Sequence, residues 1–98
     1  MTNDDRVARM ANRLQRWGAK LNSLGAGVEA AGEAVSARHR DQVEALRLQH
    51  RIVQTQLDAL KAASSDEWET FWIGVDGAWK SLMTGYRALK NPPASRRH

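Results

Sequence analysis

Apolar residues recur along most of this chain at alternating steps of three and four positions. One run covers 7–35, a second covers 43–60 with His50 as its single polar member, and a third covers 68–89. Such spacing places the side chains on one stripe of an α-helix, at the a and d positions of a coiled-coil heptad. The runs are Val7, Met10, Leu14, Trp17, Leu21, Leu24, Val28, Ala31 and Val35; Val43, Leu46, His50, Val53, Leu57 and Leu60; and Trp68, Trp72, Val75, Trp79, Leu82, Tyr86 and Leu89.

The junction between the first two runs admits two arrangements. Three consecutive steps of four residues, from Ala31 to Val43, form a stutter that keeps the apolar stripe in phase. The stutter favours one long helix over about residues 5–62. Glycines near the junction each cost roughly 1 kcal/mol in a helix interior, so a bend or break between about residues 25 and 36 is the alternative. These glycines are Gly25, Gly27 and Gly32.

A turn near residue 63 is predicted by Ser64 and Glu67, whose spacing is that of a capping box. A returning helix then covers about residues 65–90 and is stopped by Pro92 and Pro93. The predicted fold is all-α, a helical hairpin or a three-helix bundle with coiled-coil packing. Residues 1–90 form its single domain, and 91–98 are predicted to be a flexible basic tail.

Helix lengths raise the question of a partner chain. A straight helix over 5–62 would be roughly 85 Å long, whereas the returning helix would reach only about 40 Å. The stripe over 7–35 would then lack a partner. Either the glycines bend the chain into a three-helix bundle, or the protein is a homo-oligomer or a subunit of an assembly.

Composition excludes several classes of function. The chain has 42% apolar residues, no cysteine and a net charge of +4, and its acidic and basic residues are interspersed. It shows no phosphate-binding loop, nucleophile elbow or HExxH motif. His39 and His50 lack convergent ligands for a metal. We therefore expect no enzyme, cofactor or metal site. We also expect a cytoplasmic protein, because no secretory signal or spanning segment is evident.

Tryptophans concentrate in the third run. Burial against the second run is the main expectation for them, because each indole removes on the order of 200 Å² from water. The alternatives are a docking face for a partner protein and the interface of a membrane. The candidate partner-binding residues are Trp17, Trp68, Phe71, Trp72, Ile73, Trp79 and Met83.

A basic stripe flanks the first apolar run. The simplest interpretation is a solvated flank whose cations pair with acids on a neighbouring helix, such as Glu67, Glu69 or Asp76. The alternative is a surface for anionic lipid. Nucleic acid is less favoured, because no DNA- or RNA-binding motif accompanies the stripe. The candidate anion-binding residues are Arg6, Arg9, Arg13, Arg16 and Lys20.

Three short segments lie between Val43 and Leu82: Glu44-Ala45-Leu46-Arg47, Leu60-Lys61-Ala62-Ala63-Ser64, and Gly74-Val75 followed by Ala78-Trp79. In these segments the stretch resembles a family of small bacterial coiled-coil proteins described as stress-response proteins, first in cyanobacteria. The resemblance implies a helical, stress-linked protein without a catalytic residue.

The sequence therefore predicts a non-enzymatic interaction or scaffold protein that acts through coiled-coil association with itself or with another protein. The alternative is a peripheral protein at the inner face of the membrane. That protein would use the basic amphipathic helix and the Trp-rich helix.

Overall fold

Each of the three apolar runs forms a helix of its own. The computed structural model describes residues 3–90, and its helices are α1 (Asn3–Ala31), α2 (Ala37–Lys61) and α3 (Trp68–Lys90). Successive helices run antiparallel in an up-down-up bundle about 49 Å long. The predicted all-α fold is confirmed, in its three-helix form. The predicted flexible tail, 91–98, lies outside the described residues.

The prediction of one continuous helix over 5–62 is wrong, because the chain turns between α1 and α2. A short 3-10 turn, Gly32–Ala34, follows α1, and Gly32 has a φ of +59°. Glycine adopts this left-handed conformation readily, and it commonly ends helices. The guanidinium of Arg40 donates to the carbonyl of Gly32 and satisfies an acceptor at the end of α1. Gly25 and Gly27, by contrast, remain inside α1.

α2 begins at a capped N-terminus. Ser36 is extended, with φ −64° and ψ 153°, and its hydroxyl accepts a hydrogen bond of 3.1 Å from the amide of His39. A serine in this position satisfies one of the amides that have no partner in the first turn of a helix. The cap and Gly32 together fix the turn between α1 and α2.

The second connection, residues 62–67, is close to where the sequence predicts it. α3 starts at Trp68, slightly later than predicted. The amide of Glu67 donates to the carbonyl of Ser64 at 3.1 Å, rather than to its hydroxyl as a capping box requires. The turn is thus stabilised by backbone hydrogen bonds, and the amide of Phe71 donates to the carbonyl of Glu67 to continue into α3.

The core of the bundle consists of the heptad positions. Every buried apolar side chain in the described part of the chain belongs to one of the three predicted runs. α1 packs this stripe against α2 and α3 of the same chain, so its seam is covered without a second molecule. The argument for an oligomer from an uncovered seam therefore does not apply. The buried set is Met10, Leu14, Leu21, Val28, Val43, Leu46, Val53, Leu57, Leu60, Trp68, Val75 and Leu82.

The three helices are not evenly spaced. α2 lies close to both of its neighbours, whereas α1 and α3 are held apart by large side chains between them. Glycines mark the close contacts: a Cβ on Gly85 would lie 2.9 Å from the Leu46 side chain, and one on Gly18 would lie 3.2 Å from the His50 ring. The wider gap between α1 and α3 leaves an open groove along one side of the bundle.

Candidate cationic and aromatic groove

The groove between α1 and α3 brings the two predicted stripes together. The floor and the α3 side are aromatic: the Trp17 ring meets Trp79 edge to face at 6.2 Å and Tyr86 at 4.6 Å. The other wall is the basic stripe of α1. We call this surface the α1/α3 groove. It is lined by Arg6, Arg9, Met10, Arg13, Arg16, Trp17, Lys20, Trp72 and Trp79.

Two open cavities lie along the groove. The larger, about 460 Å³, is bounded by Arg16, Lys20 and the indoles of Trp17 and Trp79. The smaller, about 200 Å³, lies nearer the start of α1, beside Trp72. Arg13 lines both cavities and therefore stands at the centre of the groove.

The cations of the groove lie over aromatic rings. Arg6 is 5.6 Å from the Trp68 ring and 5.9 Å from the Trp72 ring, measured from the guanidinium carbon to the ring centroids. Lys20 Nζ is 4.6 Å from the Trp17 centroid. Such contacts contribute roughly 0.5–1 kcal/mol each at exposed sites. They hold the long side chains against the groove without neutralising their charge.

Carboxylates are scarce in this groove. The sequence predicts that the stripe pairs with acids of a neighbouring helix, and this occurs at one position: Arg6 lies 3.7 Å from Glu69, in a solvent-exposed pair. Asp76, another predicted partner, pairs with Lys80 at 3.0 Å instead. Within residues 3–90, the remaining four cations of the stripe form no ion pair: Arg9, Arg13, Arg16 and Lys20.

The predicted partner-binding residues divide among three environments. Trp68 is buried and stacks on Trp72, with centroids 5.6 Å apart and planes at 7°. Trp17, Trp72 and Trp79 are half-buried and line the groove. Trp68 is therefore a core residue, whereas each of the other three indoles is partly packed in the core and partly accessible from the groove.

Three further candidates lie outside the groove lining. Met83 is half-buried and packs against the core beside Leu82. Phe71 and Ile73 are exposed, by 38% and 65%, respectively. At 100° per residue, Ile73 projects about 120° away from Trp79 around α3. Ile73 therefore does not share a face of α3 with Trp79, and neither Phe71 nor Ile73 lines the cavities of the groove.

A third cavity, between α1 and α2, was not anticipated from the sequence. It has a volume of about 280 Å³ and lies beside Gly18, Arg47 and His50. His50 Nε2 lies 2.7 Å from the carbonyl oxygen of Leu14. Since a carbonyl only accepts hydrogen bonds, Nε2 carries the proton. The polar seam position thus links two helices.

Comparisons with protein-family models, curated proteins and solved structures find no match to this chain. Among residues 3–90, no helix combines the length and the apolar character needed to cross a bilayer. Within the same range, no group of histidines and carboxylates is arranged to hold a metal ion. The side chains that line the α1/α3 groove are cations, indoles and a thioether, which suit the binding of anions with an apolar component.

Proposed function

We propose that this protein is a non-enzymatic interaction protein that binds an acidic protein partner along the α1/α3 groove. The three-helix bundle acts as a scaffold that holds a row of cations beside an aromatic floor. This proposal keeps the interaction function expected from the sequence and replaces coiled-coil association through an open seam with binding at the groove.

The observation that carries the proposal is the row of cations without carboxylate partners. Three adjacent pairs of like charge follow one another at spacings of three or four residues among the unpaired cations from Arg9 to Lys20. Each such pair destabilises a helix by roughly 0.2–0.5 kcal/mol, so the row costs about 0.6–1.5 kcal/mol in all. Residues that reduce stability in this way are expected where function requires them. An acidic partner would neutralise the repulsion.

The membrane alternative has less support. An interfacial helix inserts its apolar face between lipids. The apolar face of α1 is packed in the bundle, where Met10 and Leu14 are each 1% exposed. Insertion would require α1 to leave the core. Within residues 3–90, the large apolar side chains that are exposed belong to α2 and α3 and not to α1: Leu48, Ile52, Phe71 and Ile73.

The test of this proposal is a titration with poly-L-glutamate followed by tryptophan emission. All four indoles of the chain lie in or beside the groove, so they report on its occupation. We expect saturable binding that weakens about tenfold or more when Arg13→Glu and Arg16→Glu are combined, because each exposed ion pair contributes up to about 1 kcal/mol. We also expect binding to weaken as salt is raised.

The matched control reverses two charges elsewhere. Arg38→Glu with Arg51→Glu changes the net charge equally but at exposed positions of α2, away from the groove. Equal weakening by both double variants would show that net charge alone drives binding, and the proposal would fail. Vesicles containing phosphatidylglycerol form a parallel arm, in which groove-dependent binding without polyglutamate binding would favour the membrane alternative.

Self-association and a stress-linked role remain predictions. Light scattering over a range of concentrations tests the first, since a homo-oligomer would increase in mass with concentration. Growth of a deletion strain under stress tests the second.

A further inference from the structure

We infer that the segment bound in the α1/α3 groove is an acidic amphipathic α-helix, which packs along α1 and α3 as a fourth helix. The inference rests on the proposed function and names the conformation of the partner. It follows from the spacing of the cations, the shape of the groove and the positions of the aromatic rings.

The spacing of the cations matches the pitch of a helix. From Arg6 to Lys20 they advance by three and four residues alternately, which is about 5.2 Å per step and about 21 Å in all. Carboxylates at alternating steps of three and four on a partner helix advance by the same distance. Alternate side chains of an extended peptide advance by about 6.7 Å, so they would fall out of register by roughly 6 Å over four steps.

The shape of the groove also suits a helix. α1 and α3 border it on either side, separated by the Trp17, Trp79 and Tyr86 rings. A helix placed over such a gap contacts both α1 and α3, as in a four-helix bundle. Its acidic stripe would face Arg13 and Arg16 on α1, and its apolar edge would lie over the half-buried indoles.

Aromatic geometry disfavours single-stranded nucleic acid as the occupant. Bases bind such proteins by stacking on accessible ring faces. One face of Trp72 is stacked on Trp68, and Arg6 lies over the same indole at 5.9 Å. Trp17 has Lys20 over its ring and two aromatic neighbours. The rings therefore form a floor for side chains rather than a platform for bases.

The experiment compares three synthetic peptides of about three heptads and nearly identical composition. In the first, glutamates follow alternating steps of three and four, and leucines form the adjacent stripe. In the second, the same residues are rearranged so that the glutamates are spread around the helix. In the third, a central proline in the first sequence prevents a continuous helix. Affinity is measured by tryptophan emission, and peptide helicity by difference circular dichroism.

We expect the first peptide to bind about tenfold or more tightly than the other two and to gain helix on binding. Its affinity should fall with the Arg13→Glu and Arg16→Glu double variant and persist with the Arg38→Glu and Arg51→Glu control. Circular dichroism of each protein variant alone confirms that the bundle is intact.

Other outcomes overturn the inference in distinguishable ways. Equal, groove-dependent binding of the proline peptide would refute the helical partner and leave the proposed function standing. Absence of groove-dependent binding by all three peptides and by polyglutamate would overturn both. Groove-dependent binding of oligothymidylate or of phosphatidylglycerol vesicles, without binding of the first peptide, would replace the acidic helix with that class of partner.

Discussion

Replacement of Arg16 by glutamine is expected to stabilise the fold and to weaken binding of an acidic partner. Arg16 lies three residues after Arg13 and four before Lys20, so it takes part in two repulsive pairs on α1. It is exposed, and no carboxylate within residues 3–90 pairs with it. Arg13 lies over the Trp79 ring and Lys20 over the Trp17 ring, whereas the guanidinium of Arg16 lies over no ring of the groove.

The magnitude follows from those two pairs. Removal of each repulsion contributes roughly 0.2–0.5 kcal/mol, so Arg16→Gln should raise the free energy of unfolding by about 0.4–1 kcal/mol. Arginine and glutamine have similar helix propensities, which add little to the difference. For a domain of this size the melting temperature should rise by roughly 2–6 °C.

Urea unfolding at low salt measures the effect, and Lys80→Gln is the matched control. Both substitutions remove one positive charge, but Lys80 is paired with Asp76 at 3.0 Å, so its loss should cost about 0.3–0.5 kcal/mol. The two variants should therefore move the urea midpoint in opposite directions. At about 1 M salt, where the Debye length is near 3 Å, both shifts should shrink towards zero.

Two results would refute this reasoning. One is a loss of stability in Arg16→Gln at low salt, which would mean that the arginine makes a stabilising contact. The other is a gain that persists unchanged at high salt, since that gain would not be electrostatic. A gain in stability together with unchanged polyglutamate affinity would contradict the proposed function instead.

Three further substitutions test the fold. Gly77→Ala should raise the unfolding free energy by up to about 1 kcal/mol in urea, because its Cβ would meet nothing within 4 Å; a loss would indicate an undetected contact. Gly32→Ala should lower it by roughly 1–2 kcal/mol because of the positive φ, and Gly32→Asn should lower it less; equal effects would argue against a left-handed residue there. His50→Phe should lower it by about 1–3 kcal/mol, because it removes the donor to the carbonyl of Leu14; thermal unfolding that matches the wild type would show that this hydrogen bond contributes nothing.

The core could be predicted from the sequence almost completely. All buried apolar side chains among residues 3–90 lie in the three heptad runs, because a stripe of large apolar residues must be removed from water wherever the helix packs. The pattern did not reveal whether the first run packs against the other two runs of its own chain or against a second molecule. Heptad phase is preserved by a stutter, and also by a turn of the right length. At the turn, the local chemistry of Gly32 and Ser36 determined the outcome.

The groove was predicted only in its parts. The basic stripe and the indoles were both recognised, but in a continuous helix over 5–62 they would not face each other. Their convergence depends on the turn at Gly32, so the groove could not be predicted once this turn was replaced by a continuous helix. Ile73 is adjacent to Trp72 in sequence but is 65% exposed on another side of α3, and Phe71 also lies outside the lining of the groove. The close contact between Gly18 and His50 could have been predicted, because a glycine on one helix leaves room for a polar side chain at the seam of its neighbour.

The uneven spacing of the helices has a consequence for the motions of the molecule. α2 and α3 approach closely at Gly85, whereas α1 has one close neighbour and meets α3 through long and aromatic side chains. Local opening requires least free energy where the fewest tight contacts are broken. The amides of α1 should therefore exchange with deuterium sooner than those of α2, and a ligand that bridges α1 and α3 should slow that exchange.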